Sequence, residues 1–198
     1  VVGAAPQLLS LHGAAIEPYL DALAALRIRV FRDWPYLYEG SISYERQYLQ
    51  SYLRCSESIV VLALQGEDCV GATTALPLLA AEAEWQAPFV AAGLALNNTL
   101  YFGESVVLPD YRGLGVGVAF FAAREAHARA HGLSECSFCA VQRPAEHPLR
   151  PAGYSGNESF WHKRGYRPRP ELVGHYDWPD IGAAESSRKT MQYWSKTL

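Results

Sequence analysis

The chain has 198 residues, 49% of them apolar, and a formal net charge of −3. That length supports one domain with a sizeable core, taken to span 1–198. No basic run offers a nucleic-acid footprint, no apolar segment is long enough to cross a bilayer, and residues 1–15 lack the basic leader of a signal peptide, so a soluble, cytoplasmic protein without nucleic-acid or membrane partners is expected.

Residues 16–31 carry Ile16, Leu20, Leu23, Leu26 and Val30 at helical spacing. Asp33-Trp34-Pro35 should stop that helix. A second helix is expected over 44–54, with Ser43 as a candidate cap. Strands over 58–64 and 69–75 flank a short turn at Gln65-Gly66-Glu67-Asp68. Residues 76–98 are Ala-rich and read equally as a partly helical insertion or as a lid. A strand over 99–108 follows, then a turn at Pro109-Asp110-Tyr111. The next helix, 114–131, should bury Val116, Ala119, Phe120, Ala123 and Ala126 and end at Gly132. A strand over 135–141 leads into a Pro-rich loop, 142–156. A short helix over 157–164 is closed by Gly165. Strands over 171–176 and 189–194 end the pattern, which is that of one α/β domain with a mixed sheet.

The run Arg112-Gly113-Leu114-Gly115-Val116-Gly117 at the strand-to-helix turn is the most informative stretch. Glycines let the backbone approach a ligand closely. The first N–H groups of a helix lack intrahelical partners and carry its positive dipole end, which makes an anion site. Arg112 adds a charge able to hold a phosphate with two hydrogen bonds. The Gly-Lys-Ser/Thr end of a nucleotide-triphosphate loop is missing, and Val118 breaks a dinucleotide G-x-G-x-x-G, so a flavin or nicotinamide oxidoreductase has only the glycines behind it. Cys136-Ser-Phe-Cys139 is formally C-x-x-C, but residues three apart on a strand face opposite ways, so free thiols are expected. His127 and His131 lie four apart on a helix without carboxylate partners, and no metal is expected.

Arg-Gly-x-Gly-x-Gly after a strand ending in Val-Leu-Pro resembles the signature loop of the GNAT superfamily of N-acetyltransferases. Phe160-Trp161-His162-Lys163-Arg164-Gly165-Tyr166 is similar to that family's Phe-Tyr-x-x-x-Gly-Phe helix end. The two motifs stand in the family's order with one strand between them. The resemblance covers 99–176 well and the N-terminal half only by element order, with an initial strand hidden in residues 7–11. It implies a mixed, mostly antiparallel sheet flanked by helices.

The resemblance also implies acetyl-coenzyme A as co-substrate and transfer to a primary amine in a direct ternary complex. Its pyrophosphate would lie on Arg112, Gly113, Leu114, Gly115, Val116 and Gly117, and its pantetheine arm along the backbone of Val106, Val107 and Leu108. The Val106 N–H is the candidate to polarise the thioester carbonyl. Asn157 either contacts the cofactor or caps its helix. Glu104 is the candidate general base, against a plain ion pair with a nearby arginine. Relatives use the motif's Tyr as general acid, a position held here by Trp161, so Tyr154 is the substitute. Tyr36, Tyr38 and Glu39, between the first two helices, are the candidate acceptor contacts, suited to a cationic amine with an apolar body. Cys139 as a ping-pong nucleophile lacks a nearby histidine. The acceptor is left open as a small-molecule or peptide amine, and a homodimer is one assembly this leaves open. The alternative is an acyl-coenzyme A binding or sensing module of the same fold, which Trp161 favours.

Overall fold

The computed structural model describes residues 5–198, so the first four residues of the apolar N-terminal stretch lie outside the described part. Strand β1 (Gln7–Leu11) leads through a 3-10 segment to α1 (Leu20–Phe31) and α2 (Ile42–Arg54). Pro18 falls within that 3-10 segment, which is why the first helix starts at Leu20 rather than at Ile16. Ser41, not Ser43, caps α2 by accepting from the Tyr44 N–H. The hairpin β2 (Ile59–Gln65) and β3 (Asp68–Pro77) comes next. The ambiguous Ala-rich stretch forms a short helix, α3 (Ala83–Ala91), against β6. Then come β4 (Thr99–Val107), α4 (Val116–Ala130), β5 (Glu135–Gln142), α5 (Glu158–Lys163), β6 (Arg167–Pro179) and β7 (Ser186–Thr197).

The seven strands form one sheet in the order β1-β2-β3-β4-β5-β7-β6. Among the described residues only the β4–β5 contact is parallel. Alternation along β2 shows how both faces fill. Val60 and Leu62 join the core under α1 and α2, while Ile59, Val61 and Ala63 join the core under α4. The buried stripe of α4 is less apolar than its sequence suggests. Phe120, Phe121 and Ala128 are buried, but so are Arg124, Glu125 and His127, while Ala126 is exposed. Each buried polar group there has a partner: Glu125 takes Lys196 and the Tyr166 hydroxyl, and His127 shares a hydrogen bond with the Glu57 carbonyl.

Two local features open the sheet at its centre. β4 pairs with β5 only at Thr99, Leu100 and Tyr101, opposite Glu135, Cys136 and Ser137. Beyond that point β4 stays with β3 and β5 stays with β7. The β3–β4 register also shifts: Thr73 faces Ser105, whereas Ala75 faces Phe102, so Gly103 and Glu104 together face Thr74. An extra residue of this kind bends a strand and re-aims its side chains. A β-carbon at Gly103 would stand 1.9 Å from the Tyr52 hydroxyl and 2.7 Å from Thr74 Oγ1, so only glycine fits beneath that hydroxyl.

Candidate active site

The gap between β4 and β5 is a cleft of about 1290 Å³. That exceeds the usual range for a pocket holding one small ligand and leaves room for a long one. One end is the 112–117 turn. Gly113 and Gly115 have φ of 79° and 84°, and nothing lies within 4 Å of where their β-carbons would be. The turn is therefore open in front and conformationally closed to other residues. Its exposed N–H groups start α4, where an anion is favoured. Arg112 is exposed and lines the cleft, and its Nε donates to the Val107 carbonyl at 3.0 Å. Leu114 is exposed, while Val116 and Gly117 line the cleft, with Phe160 of α5 packed 3.4 Å from the β-carbon position of Gly117. Such a cradle of small residues, free N–H groups and one arginine fits a pyrophosphate.

The backbone of β4 supplies the next part, with one correction. The Leu108 N–H donates to the Val70 carbonyl. Antiparallel ladders alternate, so Val106 also bonds across to Ala72 of β3. The Val106 N–H is thus committed to the sheet, as is that of Leu108. The groups turned into the gap belong to Ser105 and Val107, and the Val107 carbonyl already accepts from Arg112. Alternation of side chains does not reveal this, because ladder phase depends on where pairing starts.

Glu104 lies beneath the bulge with its side chain only 1% exposed. It pairs with Arg27 and accepts from the Tyr48 hydroxyl at 3.0 Å. Arg27 also pairs with Glu45, which is fully buried. Two carboxylates thus share one guanidinium, and one oxygen of each is buried without a hydrogen-bond partner. On the other face of β4, Arg124 is 1% exposed and has no carboxylate partner among the described residues. It donates to the Glu104 carbonyl at 3.4 Å and to Ser105 Oγ at 2.9 Å, which pins the bulge. Burial lowers its pKa to about 10, so it stays charged at neutral pH.

Tyr154 lines the cleft, half-buried, against Trp34 and Arg150. Burial raises its pKa above the ordinary phenol value, with Glu158 adding to the effect. Asn157 holds the N-cap position of α5 but makes no capping bond with its side chain, and it lines the cleft. Trp161 also lines it and packs on Phe138 and Trp194. Cys139 faces the cleft with Sγ 3.4 Å from the Tyr101 hydroxyl. Burial pushes the thiol up to about 12, so it is protonated at neutral pH and a poor nucleophile. Cys136 stands on the opposite face, in the α4 core, and the two thiols are free. Among the described residues no group of three or more His, Cys, Asp or Glu could hold a metal ion.

Of the three acceptor candidates only Tyr36 reaches the cleft. Tyr38 turns away to bridge with Asp180 and meet Tyr44, and Glu39 pairs outside with Arg32 at 2.6 Å. The loop itself is held firmly. Arg143 donates to the carbonyls of Pro35 and Tyr36 and forms a two-pronged pair with Asp180. Burial alone would raise the Asp180 pKa, but hydrogen bonds and charge from Arg143 and Lys189 hold it below the usual carboxylate range. Trp178 adds an indole N–H to the Tyr36 carbonyl. None of Arg27, Glu45, Arg124, Arg143 or Asp180 stood out in the sequence, since their partners are far along the chain.

A family model described as the acetyltransferase (GNAT) family matches residues 23–151. Compared with curated protein sequences, the chain finds no match. Among solved structures, it is similar to ribosomal-protein-alanine N-acetyltransferase from Brucella melitensis, with TM-score 0.61 and 15% identity over 96% of this chain and 99% of that one. An N-acetyltransferase from Staphylococcus aureus Mu50 gives TM-score 0.61 and 11% identity over 96% and 98%. An aminoglycoside 6′-N-acetyltransferase complexed with coenzyme A gives 0.58 and 17% over 96% of each chain.

Proposed function

Because the chain belongs to the acetyltransferase (GNAT) family, we propose that it moves an acetyl group from acetyl-coenzyme A directly to a primary amine. The observation that carries this is the β4–β5 gap ending on the Arg112–Gly117 turn. The turn would hold the pyrophosphate, Asn157 and the free backbone groups of Ser105 and Val107 the arm behind it. The solved neighbour bound to coenzyme A supports the choice of co-substrate. In the reaction the amine nitrogen bonds to the acetyl carbon, the carbon–sulfur bond breaks, and the amine's proton must leave.

Glu104 is the proposed acceptor of that proton. It is the one cleft-lining carboxylate on β4; the proton reaches its free oxygen, Oε1, through water, or its other oxygen, Oε2, through the Tyr48 hydroxyl bonded there. Tyr154 is the proposed donor to the departing sulfur, since its raised pKa keeps the phenol protonated. The protonated Cys139 supports direct transfer over an acetylated thiol.

The second reading, a sensing module, draws on Trp161 and on the sealed position of Glu104. Calorimetry with coenzyme A, followed by thiol release on a panel of amines, separates the two. Binding with amine-dependent thiol release is expected. Binding with no release on any amine leaves the sensor.

A further inference from the structure

We infer, resting on the acetyl-transfer proposal above, that Arg124 is a positioning residue for that reaction: through the Glu104–Ser105 peptide group it strengthens the Ser105 N–H as donor to the thioester oxygen. A trans peptide group points its C=O and its N–H in opposite directions. The Glu104 carbonyl is turned toward β3, because it accepts from Thr73 Oγ1 at 2.6 Å. The N–H of the same peptide group, that of Ser105, is therefore aimed across the gap. β5 does not take it up, since its pairing with β4 stops at Tyr101. Ser105 is exposed and lines the cleft, so a ligand there meets this N–H close to Glu104.

Arg124 stands behind that peptide group with a full charge. Its Nη1 donates to the same Glu104 carbonyl at 3.4 Å and its Nη2 to Ser105 Oγ at 2.9 Å, while Phe102 lies against the guanidinium, 3.8 Å from ring centroid to Cζ. Thr73 gives its one hydroxyl proton to the Glu104 carbonyl, so Ser105 is the donor in the 2.9 Å contact between the two hydroxyls. The chain thus runs from guanidinium to Ser105 to Thr73 to the Glu104 carbonyl with every proton assigned. Hydrogen bonds to a carbonyl polarise its peptide group and make the N–H at the other end a stronger donor. Burying a guanidinium without a carboxylate beside it is costly, which packing alone does not explain. The charge that acts on it from across β4 is that of Glu104. When Glu104 takes the amine's proton that charge is lost, and the guanidinium is left to favour negative charge in the gap. In the step itself the amine nitrogen bonds to the acetyl carbon, and the carbonyl electron pair moves to the oxygen held by the Ser105 N–H. The pair returns as the carbon–sulfur bond breaks, sulfur leaves with its electrons, and the proton goes to Glu104.

The test reads the thioester carbonyl directly. Isotope-edited infrared spectra of bound, carbonyl-labelled acetyl-coenzyme A should show its stretch below the value in water, and Arg124→Met should move it back up. In steady-state thiol release Arg124→Met should lower kcat about 10–100-fold, less than the loss of a direct oxyanion donor, with coenzyme A affinity in calorimetry within about twofold. Arg124→Lys keeps the charge and should recover most of that kcat. Lysine as poor as methionine would mean that the shape of the fork matters and not its charge, which overturns the inference. A bound thioester with no shift in the parent, or with the same shift in Arg124→Met, overturns it too and leaves acetyl transfer standing. Failure of acetyl-coenzyme A to bind the parent would remove the acetyl-transfer proposal and this one with it. If Arg124→Met does not fold, Thr73→Val takes its place, since it removes the other donor to the Glu104 carbonyl. It should lower kcat about three- to tenfold, the worth of one neutral hydrogen bond, with part of the shift lost. An unchanged kcat and an unchanged stretch in Thr73→Val would overturn the inference.

Discussion

Glu104 follows Gly103 at the one place where β4 slips against β3, and that offset sets its surroundings. The carboxylate ends up under the strand, beside Arg27 and Tyr48, instead of on the open gap. Glu104→Gln keeps the shape and removes the proton acceptor. If Glu104 takes the amine's proton, turnover should fall by roughly 10²–10⁴ while coenzyme A affinity barely moves. Steady-state thiol release and calorimetry on the same variant provide both numbers. A two- or threefold fall would mean that the carboxylate is only the counter-ion of Arg27. The sequence shows Glu104 and Val106 on one face, and the bulge leaves this intact because Glu104 is its second residue and regular pairing resumes at Ser105. It does not show the partners: Tyr48 lies 56 residues away and Glu45 pairs with Arg27 across 18, separations with no local signature.

At the level of elements, the open glycine turn at 112–117 is legible in the sequence and the shape of the 32–40 loop is not. The turn is a contiguous string of glycines and one arginine, whose chemistry is local. Arg112→Ala should weaken coenzyme A binding by about 1.5–3 kcal/mol, the range for hydrogen bonds to charged groups. Gly115→Val should act through the backbone, because φ of 84° costs a β-branched residue about 1–2 kcal/mol even though open space surrounds the position. Both variants binding as the parent does would remove the site. The acceptor loop, by contrast, takes its shape from β5 and β6, more than a hundred residues on. Arg143 reaches Pro35 across 108 positions and Trp178 reaches Tyr36 across 142. Arg143→Met keeps much of the stem and leaves the Asp180 carboxylate without its two-pronged partner. It should cost about 1–3 kcal/mol in urea unfolding and speed proteolysis at residues 32–40. The KM for the amine should rise and coenzyme A affinity should hold. Equal loss of both affinities would mean general damage and not a displaced loop.

Across the whole molecule, the sheet is joined at its centre by three residue pairs between β4 and β5. One half, β1 to β4, carries α1 and α2; the other, β5 to β7, carries the helix end that meets the phosphate turn. A ligand in the gap touches both, so it should stabilise the fold by mass action. At a hundredfold excess over Kd the gain is about 2.7 kcal/mol, which for a chain of this size corresponds to a melting shift of roughly 5–10 °C. Hydrogen exchange then tells which backbone groups receive the arm. The Val106 N–H is already paired with Ala72 and should exchange slowly with or without coenzyme A. The amides of Ser105 and Val107 face the gap and should slow only when the ligand is present. Composition and motif order foretell the sheet and the glycine turn at its open end. They cannot give this ladder phase, because it is set by the first pairing of β4 with β3 and by the shift at Gly103. Protection appearing at Val106 and not at Val107 would mean that β4 re-registers by one residue on binding.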